Sequence, residues 1–365
     1  MQGIELSRRF YLDVVRPWLV EAAPGLPHAA ALIGYGSELL GFDDETSKDH
    51  NWGPRLQLIV SATDFSVHAS RLIAAFADAA PAEFLGEPIG WRSRPHPPVT
   101  GPQSIGSERH GVEIHTLEAL VSQTTGLGST SDLGAFDWLG IAEQRLIAFT
   151  AGAVFHDDVG ALTQARARLA YYPDDVWYFR IACQWGRIAE EQAFVGRAGQ
   201  VGDDLGSRVV AARLARDVMR LAFLLERRYA PYSKWLGTAF AQLPVGKALA
   251  PHLQIALASS DWEARAAALA AAYLALAQYQ QTAGIAPFVP KIGPYFSRPF
   301  LTINADDAVA AARAAVVDPV LGALPTIGAL DQISDLTPVL ERPDWSAALV
   351  AALLQAAQSG VSSPS

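Results

Sequence analysis

The sequence predicts an α+β chain in which a first half of short strands and helices is followed by a helical second half. Three observations predict it. Up to residue 158, brief apolar runs near 30–33, 56–60, 109–115 and 153–157 alternate with stretches of helical periodicity. From Ala161 onward, helical patterning prevails. The chain has 365 residues, half of them apolar and 18% charged, enough to bury two cores, so domains are drawn at 1–158 and 159–365.

In chain order, Val14, Val15, Trp18 and Leu19 have helical spacing, and Ala30–Ile33 is the first strand. A second strand at 56–60 leads into a helix over 66–79 through Ala69, Leu72, Ile73 and Phe76. Residues 86–108, with five prolines and several glycines, read as a long loop. The strand 109–115 follows, then a helix through Trp138, Leu139, Ile141 and Leu146, and a strand over 153–157. Helices are expected at 161–171, 174–195, 203–229, 232–242, 246–258 and 261–283. Antiparallel packing with short turns is the economical arrangement for them. A Pro-rich extended connector at 284–300 and helices at 305–315 and 344–358 complete the chain.

Net charge is −9 and the pI near 5.4, so no global basic field favours nucleic acid or anionic lipid as a partner. Cys183 is the single cysteine, which excludes an internal disulfide and reads as a buried small hydrophobe in a reducing compartment. The first residues mix charge with apolar side chains, unlike a signal peptide. The longest greasy run, Ala266 to Ala277, is shorter than the ~20 residues needed to cross a bilayer. A cytoplasmic protein is expected.

The chemistry centres on residues 34–60. The apolar strand breaks at Gly34-Tyr35-Gly36-Ser37, where Gly36 permits close backbone approach and Ser37 can hold a triphosphate oxygen. Twelve positions after Ser37 comes Asp49-His50-Asn51. On an extended segment, Asp49 and Asn51 share one face, roughly 7 Å apart. A third donor is expected from Glu113, whose neighbours Val112 and Ile114 point the other way. Such oxygen donors suit Mg²⁺ (or Mn²⁺) beside the phosphates of an NTP, and Glu113 can take the proton of an attacking hydroxyl. Arg55 stands ready to contact a phosphate or to pair with Asp49; pairing with an acid is the expected role. The bland alternative makes Asp49 and Glu113 exposed strand residues. No His-Glu-x-x-His helix, Gly-x-Ser-x-Gly elbow or P-loop occurs, so zinc hydrolase, serine hydrolase and P-loop chemistries have no foothold.

These motifs resemble the nucleotidyltransferase superfamily and, more closely, the bacterial domain-of-unknown-function 4037 family. The resemblance rests on Gly36-Ser37, on Ser47-Lys48-Asp49-His50-Asn51-Trp52-Gly53-Pro54-Arg55, on Phe136-Asp137-Trp138-Leu139 and Tyr172-Pro173, and on Gly202-Asp203-Asp204. Further on, Pro231-Tyr232-Ser233-Lys234-Trp235-Leu236, Arg298-Pro299-Phe300 and Asp331-Gln332 also fit. It implies a polymerase-beta-like mixed sheet followed by an all-helical domain, in an arrangement similar to kanamycin nucleotidyltransferase. It also implies metal ligation by Asp49, Asn51 and Glu113, and phosphate contacts from Gly36, Ser37, Arg55 and Lys234. At the position of Asn51 the family pattern has Asp; an amide still offers one neutral oxygen but removes a negative charge where cations are held.

The implied activity is transfer of an NMP from an NTP to an acceptor hydroxyl on a small molecule, a protein or an RNA. Two alternatives stand beside it: a non-catalytic nucleotide-binding regulatory module in which Asn51 has ended turnover, and a toxin–antitoxin-type enzyme modifying a partner protein.

Overall fold

The computed structural model describes residues 1–49, 52–90, 101–282, 284–285 and 287–360, the side chains of Asp49 and of 358–360 excepted. Among them the chain forms two compact units. One comprises Met1–Leu133 with Arg145–Ala170, the other Gly134–Gln144 with the chain from Tyr171 onward. The first unit thus runs past residue 158 for a physical reason. Asp157 accepts hydrogen bonds from the Gly160 and Thr163 amides at 2.9 and 2.8 Å, which caps the helix Ala161–Arg168 and holds it on the preceding strand.

In the first unit, strands β1 (Ala29–Leu32), β2 (Leu56–Ile59), β3 (Glu83–Phe84), β4 (Glu87–Pro88), β5 (Ser104–Ser107), β6 (His110–His115) and β7 (Ala153–Asp157) are laid down in that order. Five of them make one mixed sheet, ordered β5-β6-β2-β1-β7, in which β2 and β6 run parallel and the other neighbours antiparallel; β3 and β4 pair separately. Alternation sends Ala30, Leu56, Leu58, Val112 and Ile114 to one face. There they join Phe10, Val15 and Leu19 from the N-terminal helices and Leu72, Ile73 and Phe76 from the helix Ala62–Ala79. Each large apolar side chain buried in this way stabilises the unit by ~1.5–3 kcal/mol. Ser61 caps the helix Ala62–Ala79 by accepting the Asp64 amide at 3.0 Å. The N-terminal helical run is widened by a π-turn over Tyr11–Val15 between Gly3–Phe10 and Arg16–Ala22.

Behind this core, His110 is fully buried; its Nδ1 accepts the Val112 amide at 3.2 Å and its Nε2 lies 3.1 Å from the Ile73 carbonyl. That pattern requires the neutral ring, and burial holds its pKa below the ordinary 6.5. Just below 6.5 the unfolded chain therefore binds more protons than the folded one, so stability rises with pH through that interval and is lost on acidification. His28, also held down by burial, acts in the same direction. Unfolding midpoints measured between about pH 5 and 7 should slope upward, and His110→Gln should flatten the slope. Equal slopes would discard this role for His110.

The second unit is mainly helical. Its helices Asp174–Glu191, Asp204–Leu225 and Trp262–Thr282 pack in sequence, with Pro244–Ala258 against the last two and Ala305–Ala314 against the first. Trp185 is buried among them and donates to Gln280 Oε1 at 2.6 Å. Asp203 caps its helix through the Gly206 amide, as a helix N-terminus favours. Cys183 is buried, which pushes its thiol up to about 12.

Two expectations change here. The unit is not wholly helical, because part of the 284–300 connector folds into an antiparallel hairpin of β8 (Ile292–Tyr295) and β9 (Arg298–Ile303). Gln192 fixes it by bonding both the amide and the carbonyl of Ile303 at 2.8 and 3.0 Å. The single helix expected through Trp138 and Leu146 is two, Ala135–Gly140 and Glu143–Thr150, separated by an extended Ile141.

Candidate active site

The face of the sheet opposite the apolar core is polar and buried. Register places Gln57 of β2 beside Ala31 on one side and beside Glu113 of β6 on the other. Gln57 Oε1 accepts the Ile33 amide at 2.9 Å, while its Nε2 donates to Glu113 Oε2 at 3.3 Å. One side chain thereby ties the end of β1, where the Gly-Ser turn begins, to the carboxylate of Glu113. Two positions along β6, His115 shares the face of Glu113, with Nε2 at 3.4 Å from Oε2. Gln123 donates to Ser104 Oγ at 2.5 Å, which leaves the Ser104 hydroxyl proton for His115 Nδ1 at 2.9 Å. His115 Nε2–H then points at Glu113. Glu113, at 5% exposure, is a buried and oriented carboxylate; the exposed-strand alternative does not describe it.

The Gly-Ser turn is held from the same direction. Arg55 donates to Glu38 Oε1 at 2.5 Å and to the Tyr35 carbonyl at 3.0 Å, and both side chains are buried. The acid that pairs with Arg55 is Glu38; the expected partner Asp49 has its side chain outside the described residues. Gly36 has a φ of +152°, and a Cβ there would meet the Glu38 carboxylate at 2.3 Å. Gly111, beside Arg55 in register, is equally constrained, since its Cβ would meet the Pro54 carbonyl at 2.2 Å. Ser37 is buried directly after the turn. Among the described residues Glu38 Oε2 and Arg55 Nε are buried without hydrogen-bond partners, so polar atoms of both signs stand unsatisfied there.

Asp49 does not lie on the expected extended segment, and Asn51 lies outside the described residues. Residues Thr46–Asp49 form a short 3₁₀ turn rather than an extended segment, because Asp44 Oδ1 accepts the Ser47 amide at 2.7 Å and starts the turn. The side chain of Asp49, and all of His50 and Asn51, lie outside the described residues. Glu113 therefore represents the described part of the donor set, and its hard, buried carboxylate suits Mg²⁺.

Sequence reasoning passed over three residues. Gln57 was legible as a lone amide between Leu56 and Leu58, and His115 as the alternate neighbour of Glu113. Glu38 gave no signal beyond its place after Ser37.

The second unit contains a buried charge network of its own. Arg180 donates to Glu143 Oε1 at 2.5 Å and lies over the Tyr172 ring at 4.4 Å, while Glu143 also accepts from the Ala230 amide at 3.2 Å and the Tyr172 hydroxyl at 3.4 Å. Burial pushes the Glu143 carboxyl above its usual range, opposed by the Arg180 charge. Nearby, a cavity of about 160 Å³ is lined in part by Arg216, Arg220, Tyr232, Ser233, Asp331 and Asp335. Lys234 is exposed in the first turn of Ser233–Gln242, its Nζ 4.9 Å from the Trp235 ring centroid.

No curated protein matches the chain. Among solved structures, the crystal structure of a nucleotidyltransferase-like protein from Exiguobacterium sibiricum 255-15 is similar over 78% of this chain and 82% of that chain, at 11% identity and a TM-score of 0.33. No helix among the described residues is long and apolar enough to cross a membrane. Residues 138–236, which include Glu143, Tyr172, Arg180 and Lys234, match the model of the family described as "Domain of unknown function (DUF4037)", the family that the sequence motifs resemble.

Proposed function

We propose that the first unit carries the active site of a nucleotidyltransferase that moves an NMP from an NTP to an acceptor hydroxyl and releases pyrophosphate. The observation that carries this reading is the Gln57 bridge, which sets the buried Glu113 carboxylate at the strand end from which the Gly-Ser turn departs. The turn at Gly36 and Ser37 receives phosphate oxygens, and Glu113 takes the proton of the attacking hydroxyl. Arg55 acts through Glu38 and the Tyr35 carbonyl by holding the turn in shape. Glu113, Asp49 and Asn51 would hold Mg²⁺ or Mn²⁺. When bound, the metal would neutralise charge on the phosphates.

Asn51 favours a second reading, a nucleotide-binding regulatory module, because the amide lacks the charge the family pattern supplies. Both readings are tested by label transfer from α-³²P-labelled NTPs with Mg²⁺ or Mn²⁺ into a soluble cell extract, using this protein and its Asn51→Asp variant. Transfer that rises with the restored carboxylate and vanishes with Asp49→Ala is the expected result, and the labelled product identifies the acceptor. Saturable NTP binding without transfer by either form supports the regulatory module. Neither binding nor transfer overturns the site.

A further inference from the structure

At the far end of β1 from the Gly-Ser turn, a second group of donor side chains converges. His28 immediately precedes β1, His156 lies in β7, and Asp158 follows it. The antiparallel register that pairs Ala29 with Asp157 and Ala30 with His156 brings them together. One ligand atom from each of the three lies within 4.8 Å of the other two. His156 Nε2 is 2.9 Å from Asp158 Oδ1, and His28 Nδ1 is 3.7 Å from Asp158 Oδ2. The six residue steps from His28 to Gly34 span roughly 20 Å of extended chain, so this group is separate from the proposed nucleotide site.

Three features suit it to a cation. The His28 amide donates to Asp158 Oδ2 at 3.0 Å, which pins the carboxylate against the rings. Behind His28, the buried Tyr11 hydroxyl sits 2.9 Å from Nε2. The Leu26 carbonyl, 3.0 Å from Nδ1, can only accept, so Nδ1 carries the ring proton and Nε2 the lone pair to which the Tyr11 hydroxyl donates; a backbone carbonyl on the N–H of the other ring nitrogen is the partner arrangement common to metal-bound histidines. The His28 and His156 rings lie 4.7 Å apart, centroid to centroid, and their side chains are only 10% and 27% exposed, so the donors are held together and largely shielded from water.

We propose that His28, His156 and Asp158 form a binding site for a divalent transition metal of the zinc class. Two imidazole nitrogens and one carboxylate match the three-ligand sets of zinc sites that keep a fourth position open, whereas Mg²⁺ prefers oxygen donors throughout. The bland competitor is a surface His156–Asp158 ion pair, which requires neither Tyr11 nor His28.

Chelator-stripped protein titrated with Zn²⁺ against a chromophoric indicator should take up one equivalent that excess Mg²⁺ does not displace. His156→Ala and Asp158→Asn should each weaken binding by more than the ~10–100-fold that loss of an outer partner brings. Co²⁺ serves as a probe that depends on no variant. A visible spectrum of a low-coordinate, nitrogen-ligated ion is expected, and the pale spectrum of a six-coordinate aqua-like ion would overturn the site. Failure of the parent protein to bind Zn²⁺, or undiminished binding by both variants, would also overturn it. None of these readouts involves nucleotide transfer.

Discussion

Glu113→Gln should lower nucleotidyl transfer by about 10²–10⁴-fold, the usual contribution of a positioned general base. The substitution keeps the volume of a side chain that is 5% exposed and keeps an oxygen for the Gln57 amide, so the fold should survive. What it removes is the carboxylate's proton affinity and charge. The rate is best followed in the Asn51→Asp background, with circular dichroism and thermal melting as the check on folding. A variant that folds normally and transfers label within a few-fold of its parent would remove Glu113 from the chemistry. Gln57→Leu makes a different statement. It leaves the Ile33 amide without its partner in the interior and takes one donor from Glu113, so it should destabilise the first unit by about 1–3 kcal/mol as well as slow transfer.

In the second unit, Glu143→Ala should be among the most damaging single changes, with an expected loss of about 3–5 kcal/mol. Arg180 is 1% exposed, its Nε and Nη1 have no hydrogen-bond partners among the described residues, and its charge is answered by Glu143 and by the face of Tyr172. Removing the carboxylate strands that cation in a low-dielectric interior. It also frees the Ala230 amide. Because the penalty comes from an unpaired charge, replacing both partners with apolar residues, Glu143→Leu with Arg180→Met, should recover most of it. Urea unfolding of the single and double variants tests this. A cost below about 1 kcal/mol for Glu143→Ala, or a double variant worse than either single, would contradict the account.

Glu143 also shows where reading the chain ends. Nothing in Ile141-Ala142-Glu143-Gln144 separates it from a surface glutamate on a helix, and its meaning comes from Tyr172, Arg180 and Ala230, which lie 29, 37 and 87 residues further along. The hairpin of β8 and β9 is a similar case. Its prolines read as a connector, and Gln192, 111 residues before Ile303, together with Phe300 packed on Trp262, holds it in place. The His28–His156–Asp158 group, too, depends on two strands distant in sequence becoming neighbours in a sheet.

The sequence by itself determined the α+β class, the polar and apolar faces of the central strands, the helices of the second half and the candidacy of Gly36, Ser37 and Glu113. These follow from local periodicity and turn chemistry, which act over a few residues. The tertiary structure decided that Gln57 joins the turn to Glu113, that Arg55 answers Glu38, that Asp49 sits in a 3₁₀ turn, and that the first unit continues to Ala170. Those outcomes depend on which segments become neighbours and on how buried polar groups find partners, and no local pattern encodes either.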